Sequence, residues 1–160
     1  MNQNGHKPSV VIVDDEEMVI TSVQAFLELE TDFDVHGFTD PEVAERFIEG
    51  NSVDVMVSDY LMPKISGIQL LTRLKKLQPE ASRVLLTGHA DKQSAIQAIN
   101  QVALFQYIEK PWENAQLLLV IQSGAERACL VRNLREKVEE LDSAQTSLKM
   151  VQRRLIQAFL

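Results

Sequence analysis

The stretch VDVMVSDYLMPKISG, residues 53–67, decides how the chain is read. An apolar, β-branched run followed by turn residues is the pattern of a strand covered by helices on both faces of a parallel sheet. The run nevertheless ends in a carboxylate, Asp59, with Tyr-Leu-Met-Pro behind it. Ligand sites in open parallel sheets collect at the carboxyl ends of strands, so Asp59 stands where chemistry is expected.

Working outward, short β-branched runs alternate with longer amphipathic ones. SVVIVDD (9–15) precedes EMVITSVQAFLELE (17–30), DVHGF (34–38) precedes PEVAERFIEG (41–50), and residues 53–59 precede SGIQLLTRLKKL (66–77). SRVLLTG (82–88), DKQSAIQAINQ (91–101) and FQYIEKP (105–111) follow, and a long helical pattern starts near Glu113. The spacing predicts five strands and five helices in a doubly wound α/β fold. Its common flavodoxin-like strand order, 2-1-3-4-5, is the expected one. Asp40-Pro41 reads as an N-cap followed by a first-turn proline, Gly50-Asn51 as the end of that helix, and Asp91 as a second N-cap.

Composition narrows the function. Of the 160 residues, 45% are hydrophobic and 24% charged, as in a soluble globular protein, and the formal net charge is −7. That balance opposes a general electrostatic grip on nucleic acid, so no direct nucleic-acid partner is expected. The opening MNQNGHKPS lacks the apolar run of a signal peptide, and no stretch has the length and apolarity of a membrane span. A cytoplasmic protein without a membrane partner is expected. The single cysteine, Cys129, permits no internal disulfide and reads as a small apolar helix residue.

Three segments are expected: a disordered polar tail over 1–8, the α/β domain over 9–124, and a helical extension over 125–160. In the extension Leu134, Leu141, Leu148 and Leu155 recur every seven residues. Val131, Val138, Gln145, Gln152 and Phe159 form a second series three positions earlier. These are the two seam positions of a coiled coil, and Leu at one with Val at the other suits a parallel pair. Lys137 and Asp142 fall on flanking positions where they can pair between chains. Residues 131–159 would span about 43 Å as a helix. RRLIQAFL closes the sequence without a capping signal, so an output domain is expected to follow it in the whole protein.

Asp14 and Asp15 follow strand one, Asp59 strand three, Thr87 strand four and Lys110 strand five. With the order 2-1-3-4-5 all five converge on one crevice. Three carboxylates together repel unless a cation joins them, and all-oxygen ligands suit a hard ion such as Mg2+. Lys110 and Thr87 complement the oxygens of a phosphoryl group. Together these groups describe an aspartyl-phosphate site with Asp59 as nucleophile.

VVIVDDE, VSDYLMPKISG, VLLTGHA and YIEKPW, in this order and at these intervals, resemble the receiver domain of two-component response regulators over residues 8 to 124. The resemblance implies that Asp59 takes a phosphoryl group from a sensor histidine kinase or phosphotransfer protein. It implies that Asp14, Asp15, Asp59 and the backbone carbonyl of Leu61 hold Mg2+, Asp14 through water. Thr87 and Tyr107 are then switch residues, Lys110 the cation paired with Asp59 or its phosphate, and Lys110-Pro111 a cis peptide. Leu61 and His89 border the path of the hydrolytic water and tune the lifetime of the phosphate. LTGHADKQSAIQAIN and YIEKPW most resemble receivers attached to cyclic-dinucleotide phosphodiesterases of the HD-GYP kind. The domain would be a regulatory phosphoacceptor, not a turnover enzyme, acting through a parallel coiled-coil dimer. Two alternatives are a constitutive dimerisation scaffold and a haloacid-dehalogenase-like phosphatase; the latter is disfavoured because Leu61 stands where its second aspartate belongs.

Overall fold

A computed structural model describes residues 5–88 and 91–160. Five parallel strands, β1 (Ser9–Val13), β2 (Asp34–Phe38), β3 (Val55–Asp59), β4 (Ser82–Thr87) and β5 (Gln106–Glu109), form one sheet in the order β2-β1-β3-β4-β5. Between them lie α1 (Glu17–Glu30), α2 (Pro41–Gly50), α3 (Gly67–Leu77) and α4 (Lys92–Val102), and α5 (Asn114–Phe159) follows β5. The expected fold class and strand order are those observed.

Strand alternation divides the interior into two cores, one on each face. Val10, Ile12, Val55, Val57, Val84 and Leu86 point to a core closed by α1 and the first turns of α5. Val11, Val13, Met56 and Leu85 point to the other, closed by α2, α3 and α4. Because both faces are covered, β1 and β3 are buried along their whole length, which is why their sequences read as unbroken runs. Trp112 packs against the first core, as the start of the last helix requires.

Helix ends follow local chemistry with two departures. The Asp40 carboxylate accepts the Glu42 N–H at the start of α2, with Pro41 in the first turn. Ser66 and Gln69 form a reciprocal capping box on α3. Asp91, expected to cap α4 in the same way, makes no side-chain cap bond, because its backbone (φ −100°, ψ 0°) is not the extended one that aims a cap at the first amides. Asn51 ends α2 in an extended conformation and its side-chain amide donates to the Phe47 carbonyl, so the Gly50-Asn51 stop works through a side chain.

At the end of α4, Ala103 adopts left-handed backbone at φ 50° and ψ 59°. That region suits glycine and strains a residue with a Cβ. Ala103→Gly is expected to raise the unfolding free energy by about 0.5–1 kcal/mol, read from urea denaturation.

Arg83 is buried in β4, and its guanidinium donates to the carbonyls of Val102 and Ala103 and to those of Pro79 and Ala81. It thereby ties the C-terminal end of α4 to the sheet. At the same end of β4, the Ser82 hydroxyl donates to the Gly124 carbonyl of α5.

The chain divides into a compact unit ending at Ala128 and a second unit, Cys129–Leu160. Ala125 and Ala128, beyond residue 124, are still buried, and Ala125 belongs to the first core. Part of the tail expected to be disordered over 1–8 is held in place. The Pro8 carbonyl accepts the Asp34 N–H, and His6 Nε2 lies 3.4 Å from the buried Asp54 carboxylate. The second unit is helical and carries exposed apolar side chains, with Arg135–Glu139 and Lys137–Glu140 ion pairs along it.

Candidate functional site

The crevice lies where β1, β3, β4 and β5 end side by side. Asp14 follows β1, and its N–H bonds the Phe38 carbonyl at the end of β2. Asp14 is fully buried; Asp15, beside it, is exposed; Asp59 closes β3 and is 8% exposed. Ligand oxygens of Asp14, Asp15 and Asp59 all lie within 4.8 Å of one another. The three carboxylates that the sequence placed at the ends of two strands thus form one cluster.

Lys110, just beyond β5, answers this negative charge. Its Nζ donates to Asp14 Oδ2 at 2.9 Å and lies 3.2 Å from Asp59 Oδ1. The Lys110 N–H also bonds the Thr87 carbonyl at 2.7 Å, which fixes the lysine backbone to the end of β4. The Lys110-Pro111 peptide is cis, as the resemblance implied. Burial alone would lower the Lys110 pKa, but the hydrogen bond and charge of Asp14, reinforced by Asp59, outweigh it and raise the pKa. For Asp59 burial raises the pKa, and the Asp14 charge adds to this; Lys110 and the Tyr60 N–H oppose without cancelling it. The cluster is therefore a strained gathering of carboxylates that one lysine only partly neutralises.

Backbone donors organise individual oxygens. The Glu16 N–H donates to Asp14 Oδ1 at 2.9 Å, and the Tyr60 N–H donates to Asp59 Oδ1 at 3.0 Å while also facing the Leu86 carbonyl at 2.9 Å. Protein contacts to the Asp59 carboxylate among the described residues thus fall on Oδ1. Oδ2 receives none of these contacts. These amides escape sequence reading because any residue other than proline at 16 or 60 would supply them.

Thr87 is buried, and its Oγ1 has no hydrogen-bond partner among the described residues. A buried hydroxyl left without a partner is costly, and its position at the mouth of the crevice fits an oxygen-rich group arriving from outside. Tyr107 is half-buried and packs against the same core as Leu85, its partner in register on β4. Thr87 lies two residues beyond Leu85, so Thr87 and Tyr107 share a face of the sheet. The Leu61 side chain is 61% exposed at the rim. His89, expected to tune the site, lies outside the described residues.

The loop between β3 and α3 is held close to Asp59. The Gly67 N–H bonds the Tyr60 carbonyl at 3.0 Å, and a Cβ at Gly67 would collide with the Asp59 carbonyl. Glycine is required here for close approach. Gly67→Ala is expected to cost about 1–3 kcal/mol in urea denaturation, because the loop carrying the acidic residue must shift to make room.

The acidic donors fit a hard divalent cation: three carboxylates whose oxygens already lie together, no histidine or cysteine among them, and residual negative charge that Lys110 does not cancel.

Comparison with known proteins agrees with this geometry. The family model for the response regulator receiver domain matches residues 10–122. The hydrogenase transcriptional regulatory protein HoxA of Bradyrhizobium diazoefficiens is 30% identical over 119 residues, covering 74% of this chain and 24% of HoxA. The chain spans about a quarter of the length of such curated relatives. Among solved structures, a response regulator receiver domain protein from Clostridium thermocellum is 31% identical with a TM-score of 0.72, covering 78% of this chain and 98% of that one. The signal receiver domain of an HD domain-containing protein from Pseudomonas fluorescens is 28% identical, also with a TM-score of 0.72, covering 77% and 98% of the two chains. Fold, acidic crevice and matched segment coincide: the chain belongs to the receiver-domain family of two-component response regulators.

Proposed function

We propose that this receiver accepts a phosphoryl group on Asp59 from a histidine kinase or phosphotransfer protein and relays the change to its helical extension. The observation that carries the reading is Lys110 Nζ lying between Asp14 and Asp59, with Asp15 completing the acidic cluster. Asp14, Asp15, Asp59 and the Leu61 carbonyl would hold Mg2+, Asp14 through water. The ion, when bound, supplies charge neutralisation for phosphoryl transfer.

The chain's own residues do the rest. Asp59 Oδ2 attacks phosphorus while Oδ1 is steadied by the Tyr60 N–H and Lys110; the bond from phosphorus to the donor's nitrogen breaks, and the electron pair leaves with the imidazole. Positioning supplies most of the acceleration in such a transfer. The incoming phosphoryl oxygens give Thr87 Oγ1 a partner that none of the described residues supplies, and Lys110 transfers part of its interaction from Asp59 to the new group. Thr87 moving toward the phosphoryl group makes room for Tyr107 to turn inward on the same face. Leu61, two positions after Asp59, would flank the route of the hydrolytic water that resets the switch.

The extension, residues 125–160, serves as the relay by forming a parallel homodimeric coil and connecting to an output module. Likeness to the receiver of an HD domain-containing protein makes an HD domain a candidate for that module. The domain itself is a regulatory phosphoacceptor acting in the cytoplasm; among the described residues no helix is long and apolar enough to cross a membrane.

Amide NMR tests the switch directly. Beryllofluoride with Mg2+, a stable mimic of the phosphoryl group, is expected to shift the resonances of Thr87, Tyr107 and Lys110 together. Shifts confined to Asp14, Asp15 and Asp59 would leave a metal site without a switch and refute the relay.

A further inference from the structure

The helical extension carries apolar residues that the seven-residue leucine series does not use. After Leu141 the chain offers Ala144, Leu148, Val151, Leu155 and Ala158, spaced three, four, three, four and three residues apart counting from Leu141. That is an uninterrupted apolar seam. The series three positions before the leucines places Gln145 and Gln152 in the same interval. Leu148, Val151 and Leu155 are 59%, 53% and 54% exposed on the helix, so each has surface to bury.

We propose that a second copy of this chain docks in parallel along residues 131–159 and that the seam changes register at Leu141. Up to Leu141 it follows the leucine and valine series; beyond it, Ala144 and Val151 replace Gln145 and Gln152 at the centre. This inference rests on the parallel-dimer reading above. The occupant is a second copy because parallel, in-register pairing of identical chains sets Lys137 opposite Asp142 of the other copy, on positions that flank the seam on either side of Leu141.

Two steps of three residues in succession, Val138 to Leu141 to Ala144, amount to a three-residue discontinuity, which overwinds a coiled coil locally. Two local features accommodate it. Ala144 is small enough for the helices to approach where they wind more tightly. In the same turn the Thr146 hydroxyl donates to the Asp142 carbonyl at 3.0 Å, and such back-bonding to the fourth preceding residue loosens and bends helices. The shift moves both glutamines to flanking positions where their amides keep water, in place of facing their own copies in an apolar layer. Phe159 becomes a flanking residue that the Arg154 stem of the other copy can cover. Ile156 turns outward and, with Met150, is apolar surface that the shifted register leaves unburied.

Single-cysteine cross-linking of the full chain decides the matter, starting from Cys129→Ser and adding Leu134→Cys, Val151→Cys or Gln152→Cys. Residues at the seam of a parallel dimer oxidise to an interchain disulfide readily, and flanking ones slowly. Leu134 is central in both registers and reports the dimer itself. The expected result is rapid cross-linking at 134 and 151, with 152 at least fivefold slower. Cross-linking at 134 with 152 equal to or faster than 151 would overturn the register change and keep the dimer. No cross-linking at 134 would remove the parallel dimer and the register change with it.

Discussion

Asp59→Asn is expected to abolish labelling by acetyl phosphate, with a rate lowered on the order of a thousandfold or more, since an amide cannot replace the attacking carboxylate oxygen. Autoradiography or phosphate-affinity electrophoresis reads the result. Labelling of the variant at the wild-type rate would move the nucleophile to another residue and undo the site assignment. The same substitution has a second readout independent of phosphate. Burial and the Asp14 charge raise the Asp59 pKa above its ordinary 3.8, so the folded domain holds that proton more tightly than the unfolded chain. Between those two values the unfolded state carries fewer protons, and stability therefore falls as pH rises through that window. The asparagine variant lacks this term. Without divalent cations, its unfolding free energy is expected to fall less than that of the wild type between acid and neutral pH.

Chelation of divalent cations with EDTA is expected to reduce acetyl-phosphate labelling on the order of a hundredfold, with recovery on adding excess Mg2+. Asp15→Asn removes the exposed member of the cluster without touching Lys110's partners, and the Mg2+ needed for half-maximal labelling is expected to rise at least tenfold. A binding readout accompanies the kinetic one. At ten times its dissociation constant a ligand specific for the folded state adds about 1.4 kcal/mol of stability. Wild-type melting should rise accordingly with Mg2+, and the Asp15→Asn variant should need more of the ion for the same rise. Undiminished labelling in EDTA would show that Lys110 alone neutralises the crevice.

Much of the molecule was legible because parallel α/β architecture writes itself in local patterns. Apolar runs mark strands whose faces are both covered, and the acidic, hydroxyl and ammonium groups stand out at their ends. Less was legible where backbone geometry does the work. The Glu16 and Tyr60 amides that hold Asp14 and Asp59 carry no side-chain signature. Asp91 has the right residue type for a cap and the wrong backbone angle. Arg83 reads as an ordinary charged strand residue until four backbone carbonyls are found around it, two of them at the end of α4.

By itself the sequence determined the order of elements, the residues of the acidic crevice and the amphipathic extension, because each depends on residue type and spacing along the chain. Tertiary structure alone decided which oxygens Lys110 bridges, that the Thr87 hydroxyl is buried with no partner among the described residues, and that Gly67 must lack a Cβ beneath Asp59. Those facts concern approaches of a few ångströms between segments far apart in sequence, and only the packing of helices on both faces of the sheet fixes such distances.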